Sequence, residues 1–258
     1  MVSDRTEGQR LYAIGDVHGM LDDLREVHGW IARDRAEHPG RDARVIHLGD
    51  YTDRGPDSRG VLDFLIAGDN PCWVNLLGNH DRMFARYVTH PGWQDPKLYR
   101  DKGYHWMHPR LGGKETLASY GVDLPKEDLG LDRAAEFHEA AAAAVPQAHV
   151  DFISGLTLQH RVGHYVFVHA GIETDRAIDD QREEALLWQR EGWLDWDGTL
   201  PFTVVHGHTV SEVPEHRGYR IGIDTGAVFG GSLTCLVLDG DEVGVLTGHN
   251  VRPLLPRR

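Results

Sequence analysis

Short apolar runs alternate with amphipathic stretches through the first 80 residues. Leu11–Ile14, Arg44–Leu48 and Cys72–Leu77 read as buried strands, because a strand covered on both faces is apolar without strict alternation. Between the first two, Leu21, Leu24, Val27 and Ile31 recur at helical spacing. After the second, Pro56-Asp57-Ser58 predicts a helix start, with Val61, Leu62 and Leu65 on one face. The order β-α-β-α-β predicts parallel strands with helices packed on them.

From about residue 90 to residue 160 the pattern changes. Residues 90–113 are rich in Pro, Gly and aromatics, including Trp93, Tyr99, Tyr104 and Trp106. They set Lys97, Arg100, Lys102 and Arg110 against Asp95 and Asp101, a small positive excess, and the basic, aromatic segment 93–110 is expected to form a substrate lip. An alanine-rich helix is predicted over Leu131–Val145, and Pro146 is placed to open another. Strands return at Tyr165–Val168, Phe202–Val205, Arg220–Ile223, Leu233–Leu238 and Glu242–Leu246, with a helix around Glu184–Trp188. Asp239-Gly240 marks a hairpin. The expected fold class is α/β: a two-sheet β-sandwich flanked by helices, one domain over residues 1–258, carrying a helical and loop insertion at about 90–160.

Composition narrows the function classes. The 258 residues carry 27 basic and 40 acidic side chains, a formal net charge of −13. A sequence-independent grip on nucleic acid needs a basic face, and membrane anchoring by charge needs a polybasic run; neither partner is expected. Bound divalent cations would invert the sign locally, so an anionic substrate stays compatible. Cys72 and Cys235 sit in apolar contexts and read as buried free thiols, not as a disulfide framework. The polar N-terminal residues lack an apolar signal core, and no run approaches the ~20 apolar residues of a membrane span. A cytoplasmic setting is expected.

Five blocks directly follow predicted strands: residues 15–19 (GDVHG), 49–55 (GDYTDRG), 78–81 (GNHD), 169–171 (HAG) and 207–209 (GHT). They bring carboxylate, amide and imidazole groups to one sheet edge. Asp16 and His18 are spaced to face one ion. Asp50, with two oxygens, suits a bridge between two cations. Asn79 offers a carbonyl oxygen, and His169 and His208 offer neutral nitrogens. Oxygen and nitrogen donors without thiolates fit Mn²⁺, Fe or Zn²⁺ at a working site better than a structural zinc site. Any one of these residues alone reads as a turn or core residue. Burying them together without cations would cost many kcal/mol. His80 beside Asn79, paired with Asp53, suits a general acid. Arg54 and Arg190 suit a phosphate clamp. Of the other histidines, His28, His38, His138, His149 and His216 read as surface residues. His47 and His206 read as packed strand residues.

These blocks resemble the signatures of the metallophosphoesterase superfamily: GDxHG, GDxxDRG, GNH followed by an acid, a later HxG and a GH. The sequence is most similar to the bacterial branch of the PPP-type serine/threonine protein phosphatases, which is related to the symmetrical diadenosine tetraphosphate hydrolases. The resemblance runs from about Leu11 to Leu246 and implies the calcineurin-like fold. It implies two divalent ions, Mn²⁺ foremost, one held by Asp16, His18 and Asp50 and the other by Asp50, Asn79, His169 and His208. It implies His80 with Asp53 as the proton-donor pair, Arg54 with Arg190 on phosphate, and a bridging hydroxide attacking phosphorus in line. Val210 stands where many superfamily phosphodiesterases have a further histidine, which fits the phosphatase branch. Asp81 replaces a frequent Glu, and Ala170 a frequent Gly. Ile223–Ala227 is expected at the site floor, and the stretch Gly112–Gly121 resembles both branches.

The intact Asp53-Arg54 pair ranks a serine/threonine-type protein phosphatase first, acting on a phosphorylated protein or a small phosphoester. A symmetrical dinucleoside polyphosphate hydrolase is the alternative. A phosphate-binding module without turnover ranks last, because no ligand position is lost.

Overall fold

The computed structural model describes residues 4–68 and 70–257. Its strands are β1 (Arg10–Ile14), β2 (Ala43–His47), β3 (Trp73–Asn75), β4 (Gln159–Val162), β5 (Tyr165–Val168), β6 (Thr203–His206), β7 (Glu215–His216), β8 (Arg220–Gly222), β9 (Cys235–Asp239), β10 (Glu242–Thr247) and β11 (Asn250–Pro253). Its α-helices are α1 (Leu21–Glu37), α2 (Ser58–Ala67), α3 (Asn79–Thr89), α4 (Pro96–Lys102), α5 (Gly113–Ser119), α6 (Leu131–Glu136), α7 (His138–Ala144), α8 (Gln147–Ser154) and α9 (Glu183–Trp188). The strands form two mixed sheets, ordered β11-β10-β9-β1-β2-β3 and β4-β5-β6-β8-β7. Within them β1, β2 and β3 run parallel to one another, as do β5, β6 and β8.

Side-chain alternation along single strands builds three layers of core. Leu11 and Ala13 of β1 join Tyr165 and Phe167 of β5, Val205 of β6 and Leu236 and Leu238 of β9 between the sheets. Tyr12, Ile14, Cys235 and Val237 point the other way, toward α1 and α2 and the helices of residues 79–154. Val166, Val168 and Val204 pack with Leu186 and Trp193 on the outer face of the second sheet. The central positions of these strands are therefore apolar on both sides, because both faces are covered.

Several sequence expectations change in detail. Leu131–Val145 is two helices, broken at Phe137, whose aromatic side chain packs against the core while its backbone leaves helical geometry. Pro146 caps α8 instead of entering it, and Asp57 caps α2 by accepting from the Gly60 N–H. Cys235 is buried, but Cys72 is only half-buried at the start of the short edge strand β3. His149 and His216 are buried, not surface, because each has a partner: His149 bonds Tyr120 Oη (2.7 Å) and Asp63 (3.0 Å), and His216 Nδ1 donates to the Leu254 carbonyl. His28 is half-buried, its Nε2 2.9 Å from that of His47. Among the described residues, no helix is long and apolar enough to cross a membrane.

An ion cluster locks the sheet at the strand ends remote from the five blocks. Arg10 donates two bonds to Asp34 of α1 (2.7 and 3.0 Å) and one to Asp239 of β9 (2.8 Å). Tyr12 Oη donates to the same Asp34 carboxylate. Burial alone would raise the Asp34 pKa, but the hydrogen bonds from Arg10 and Tyr12 hold it below 3.8. A carboxyl depressed on folding stabilises above its ordinary value and loses that contribution as pH falls further. Arg10→Met leaves Asp34 without its buried partner. The expected cost is ~3–5 kcal/mol, read as a lower midpoint in urea unfolding at neutral pH.

Candidate metal centre

The blocks occupy the carboxyl ends of the parallel strands. Asp16 and His18 follow β1, Asp50 follows β2, and Asn79 and His80 open α3 beyond β3. His169 follows β5, His208 follows β6 and Asp224 follows β8. The two sheets meet across this edge. His169 Nδ1 donates to the Leu48 carbonyl (2.9 Å), and the His208 N–H donates to Asp16 (3.0 Å).

Backbone strain gathers here. Among described non-glycine residues the left-handed φ region holds Glu7, His18, Asp50, Asp53, Arg54 and His208. All but Glu7 belong to the expected site. Such conformations cost of order 1–3 kcal/mol each and persist only where surrounding structure imposes them. The surroundings here are tight. A Cβ on Gly78 would collide with the backbone and carboxylate of Asp50, and one on Gly207 with the Asp16 carboxylate.

The donor atoms converge in two overlapping groups. His18, Asp50 and His80 form one and Asp50, His169 and His208 the other, with atoms within 4.8 Å of one another in each group. Asp50 is common to both. Asp16 lies beside them but directs both oxygens at the His208 N–H. Burial foremost, then Asp224 and Asp50, raises the Asp16 pKa well above the carboxylate range. Burial pushes Asp50 up to about 7. It likewise holds His18, His80 and His208 neutral and brings His169 down to about 4.

Tautomers follow from the partners. A carbonyl only accepts, so His18 Nδ1 donates to Thr52 O (2.7 Å) and His169 Nδ1 to Leu48 O, leaving each Nε2 with a lone pair. His169 Nε2 then faces another acceptor, Asn79 Oδ1, at 2.9 Å, and lies 3.4 Å from Asp50 Oδ1. The buried His208 Nε2 has no hydrogen-bond partner. Converging lone pairs and crowded buried carboxylates are stabilised by cations, and the donors are hard oxygens and imidazole nitrogens. The residues fit divalent metal.

His80 and Asp53 sit as a pair. His80 Nδ1 meets Asp53 Oδ2 at 2.7 Å, and its Nε2 accepts from Arg54 Nη2 at 2.9 Å. Arg54 Nη1 bonds His18 Nε2. Arg190 is an exposed residue just beyond α9 whose Nη2 donates to the His208 carbonyl.

Four supporting residues had no role of their own assigned from sequence, although Asp81 closes the third block and Asp224 lies in the stretch expected at the site floor. Trp106 Nε1 donates to Asp53 Oδ2 (2.8 Å) and Thr116 Oγ1 to Asp53 Oδ1 (2.7 Å), which fixes the carboxylate that orients His80. Asp81 accepts from the backbone N–H groups of Tyr51, Thr52 and Gly78, tying the loop after β2 to the start of α3. Asp224 adds a fifth buried carboxylate, its pKa raised by burial. Trp106 lay within the expected lip and Thr116 within the Gly112–Gly121 stretch. A segment shared by both family branches was the only signal for the latter.

A cavity of about 160 Å³ opens over the cluster, lined by Asp50, Asn79, His80 and His208 together with Arg54, Lys102, Arg110 and Arg190. It shares Leu98, Lys102, Trp188, Arg190 and His208 with a cavity of about 580 Å³ that reaches Lys97. A larger cavity, about 720 Å³, lies around Arg10 and Asp239 and contains none of the strand-end cluster. The lip expectation thus divides: Lys97, Lys102, Tyr104 and Arg110 face the cleft, while Trp106 is buried behind Asp53.

Buried carboxylates and imidazoles at the strand ends of a two-sheet sandwich, under an arginine-lined cleft, define a metal-dependent phosphoesterase. The chain belongs to the calcineurin-like phosphoesterase family, whose model matches residues 9–253. It is 32 % identical over 242 residues to the bis(5'-nucleosyl)-tetraphosphatase PrpE [asymmetrical] of Geobacillus thermodenitrificans (strain NG80-2), covering 86 % of this chain and 88 % of that one. Its fold is similar to the crystal structure of a candidate diadenosine tetraphosphatase, with a TM-score of 0.62 and 22 % identity over 94 % of this chain and 95 % of that one. It is also similar to a protein serine/threonine phosphatase from Saccharomyces cerevisiae, with a TM-score of 0.54 and 12 % identity over 96 % of this chain and 82 % of that one. The family implies divalent metal ions, as the donor set does.

Proposed function

We propose that this phosphoesterase hydrolyses a dinucleoside polyphosphate, cleaving it asymmetrically. The observation that carries this reading is the cation-lined cleft. Arg54, Arg110, Lys102 and Arg190 line the first cavity, and Lys97 joins Lys102 and Arg190 in the second, beside Asp101 and Glu191. A chain of phosphates can engage them all, whereas one phosphoester group needs only the first few. The name of the Geobacillus relative supports the same reading. From sequence, the intact Asp53-Arg54 pair ranked protein phosphatase first and a dinucleoside polyphosphate hydrolase second. Asp53 orients His80, and a proton-donor pair serves any phosphoester, so its presence does not select the substrate.

Asp50, Asn79, His169 and His208 are assigned to one divalent ion, and Asp16, His18 and Asp50 to the other. Bound ions supply charge against the phosphate oxygens and make water acidic enough to react near neutral pH. Arg54 and Arg190 donate to the equatorial oxygens of the phosphoryl group as it transfers. To do so, Arg54 leaves His18 and His80, which frees both Nε2 atoms. His80 keeps Nδ1 on Asp53, and its Nε2, once Arg54 has left, takes up a proton and passes it to the departing oxygen.

The test supplies the Mn²⁺-reconstituted protein with diadenosine tetraphosphate and, separately, phosphoserine and phosphothreonine peptides. The expected products are nucleoside mono- and triphosphate, formed faster than phosphate from any peptide. Two nucleoside diphosphates would replace the asymmetrical mode with the symmetrical one. Faster phosphate release from peptides would reinstate the protein phosphatase.

A further inference from the structure

Phe229 is the most exposed aromatic side chain among the described residues, at 65 %. An aromatic ring in water is ordinarily left on a mobile segment or covered by a partner. Here it stands on a short, hydrogen-bonded turn. It ends a single 3₁₀ turn, Ala227–Phe229, flanked by Gly226 and Gly230, both at positive φ. The turn is stapled at its base. Asp224 Oδ1 accepts from the Gly226 N–H (3.0 Å), and the Gly231 N–H donates to the Gly226 carbonyl (3.0 Å). Thr225 Oγ1 lies 2.6 Å from both the Ser232 carbonyl and Thr234 Oγ1. A side chain on Gly231 would strike the Thr225 carbonyl, so the loop closes only with glycine there.

The ring's position gives the display a purpose. The Arg54 guanidinium carbon lies 5.6 Å from the Phe229 ring centroid. Arg54 also bonds His80 Nε2, so the aromatic stands one residue away from the reacting end of the cleft. A half-exposed Val210 extends the apolar surface: a Cβ on Gly226 would touch both Val210 and Phe229. An apolar, planar ledge bordered by a phosphate-binding cation matches a nucleotide, which joins a stacking base to an anionic chain.

Building on the substrate class proposed above, we propose that Phe229, with Val210 beside it, is the platform on which one base of the nucleotide substrate stacks. Base stacking on an aromatic tolerates every base, so the platform gives affinity for a nucleotide end without choosing among bases.

The test compares wild type with Phe229→Ala and Phe229→Trp, all reconstituted with Mn²⁺. Two substrates are used: diadenosine tetraphosphate, and inorganic tripolyphosphate, which has no base. ADP binding is measured in parallel by calorimetry. The expected result is that Phe229→Ala raises the KM for the dinucleotide about 10-fold more than that for tripolyphosphate. It also weakens ADP binding about 10-fold, and Phe229→Trp restores both. Equal changes on the two substrates would mean that Phe229 acts only by supporting Arg54, and would overturn the platform. So would ADP binding that is absent in wild type or unaltered in Phe229→Ala. If wild type turns over no dinucleotide, the function proposed above fails. Phe229-dependent ADP binding would then still uphold the platform as a nucleotide site, and binding indifferent to Phe229 would end it.

Discussion

Asp50→Asn is expected to abolish turnover, lowering it by ~10³-fold or more, with metal content falling at both positions. Its carboxylate belongs to both donor groups at the strand ends. One oxygen already accepts the His80 N–H (3.0 Å), which aims the group into the cluster. The amide that replaces it keeps the size but removes the negative charge and one acceptor. Several kcal/mol of charge stabilisation in the transition state depend on ions held there, and each 1.36 kcal/mol is tenfold in rate. Elemental analysis of the purified variant checks the claim separately from activity. Two ions per chain in Asp50→Asn would refute the shared position.

His80→Asn is expected to keep the metal and lose turnover by ~10²–10⁴-fold on an alkyl phosphate ester. The loss on a dinucleoside polyphosphate should be smaller. An alkoxide needs a proton to leave, whereas a phosphate leaving group departs readily without one. The pair geometry carries this prediction: His80 Nδ1 lies 2.7 Å from Asp53, whose carboxylate is pinned by Trp106 and Thr116. His80 also falls within one of the two donor groups. Metal content therefore decides its role. Loss of an ion from His80→Asn would make it a ligand, and intact metal with unchanged turnover on the alkyl ester would leave it neither ligand nor acid.

The strand-end blocks were legible because their residue types are wrong for a core. A carboxylate or imidazole directly after an apolar strand demands a partner, and five such blocks in one chain point to a shared one. The sheet strands were legible for the opposite reason, since burial on both faces leaves an uninterrupted apolar run. Edge elements escaped. β4, β7 and β11 read QHRV, EH and NVRP, with too little apolar character to announce a strand. They pair because neighbouring strands offer unsatisfied N–H and C=O groups. α3 escaped because its first turn is Asn79-His80-Asp81, polar residues that the fold buries completely enough to mimic a core face. His149 was misread for the same reason: a histidine in a helix reads as exposed until Tyr120 and Asp63 are brought to it.

The chain alone carried the order of the apolar strands and the helices beside them, the acidic character, the candidate ligands and the family. Those properties are local, written in residue type and short spacing. Folding was needed to set Asp50 between His18 and His169, and to bring Trp106 and Thr116 onto Asp53 from 53 and 63 positions away. Only in the folded chain do Lys97 and Lys102 continue the arginine-lined cleft, and does Phe229 stand exposed beside Arg54. The physical reason is that electrostatics and packing act through space, over a few ångströms, between groups whose separation along the chain carries no trace of that distance.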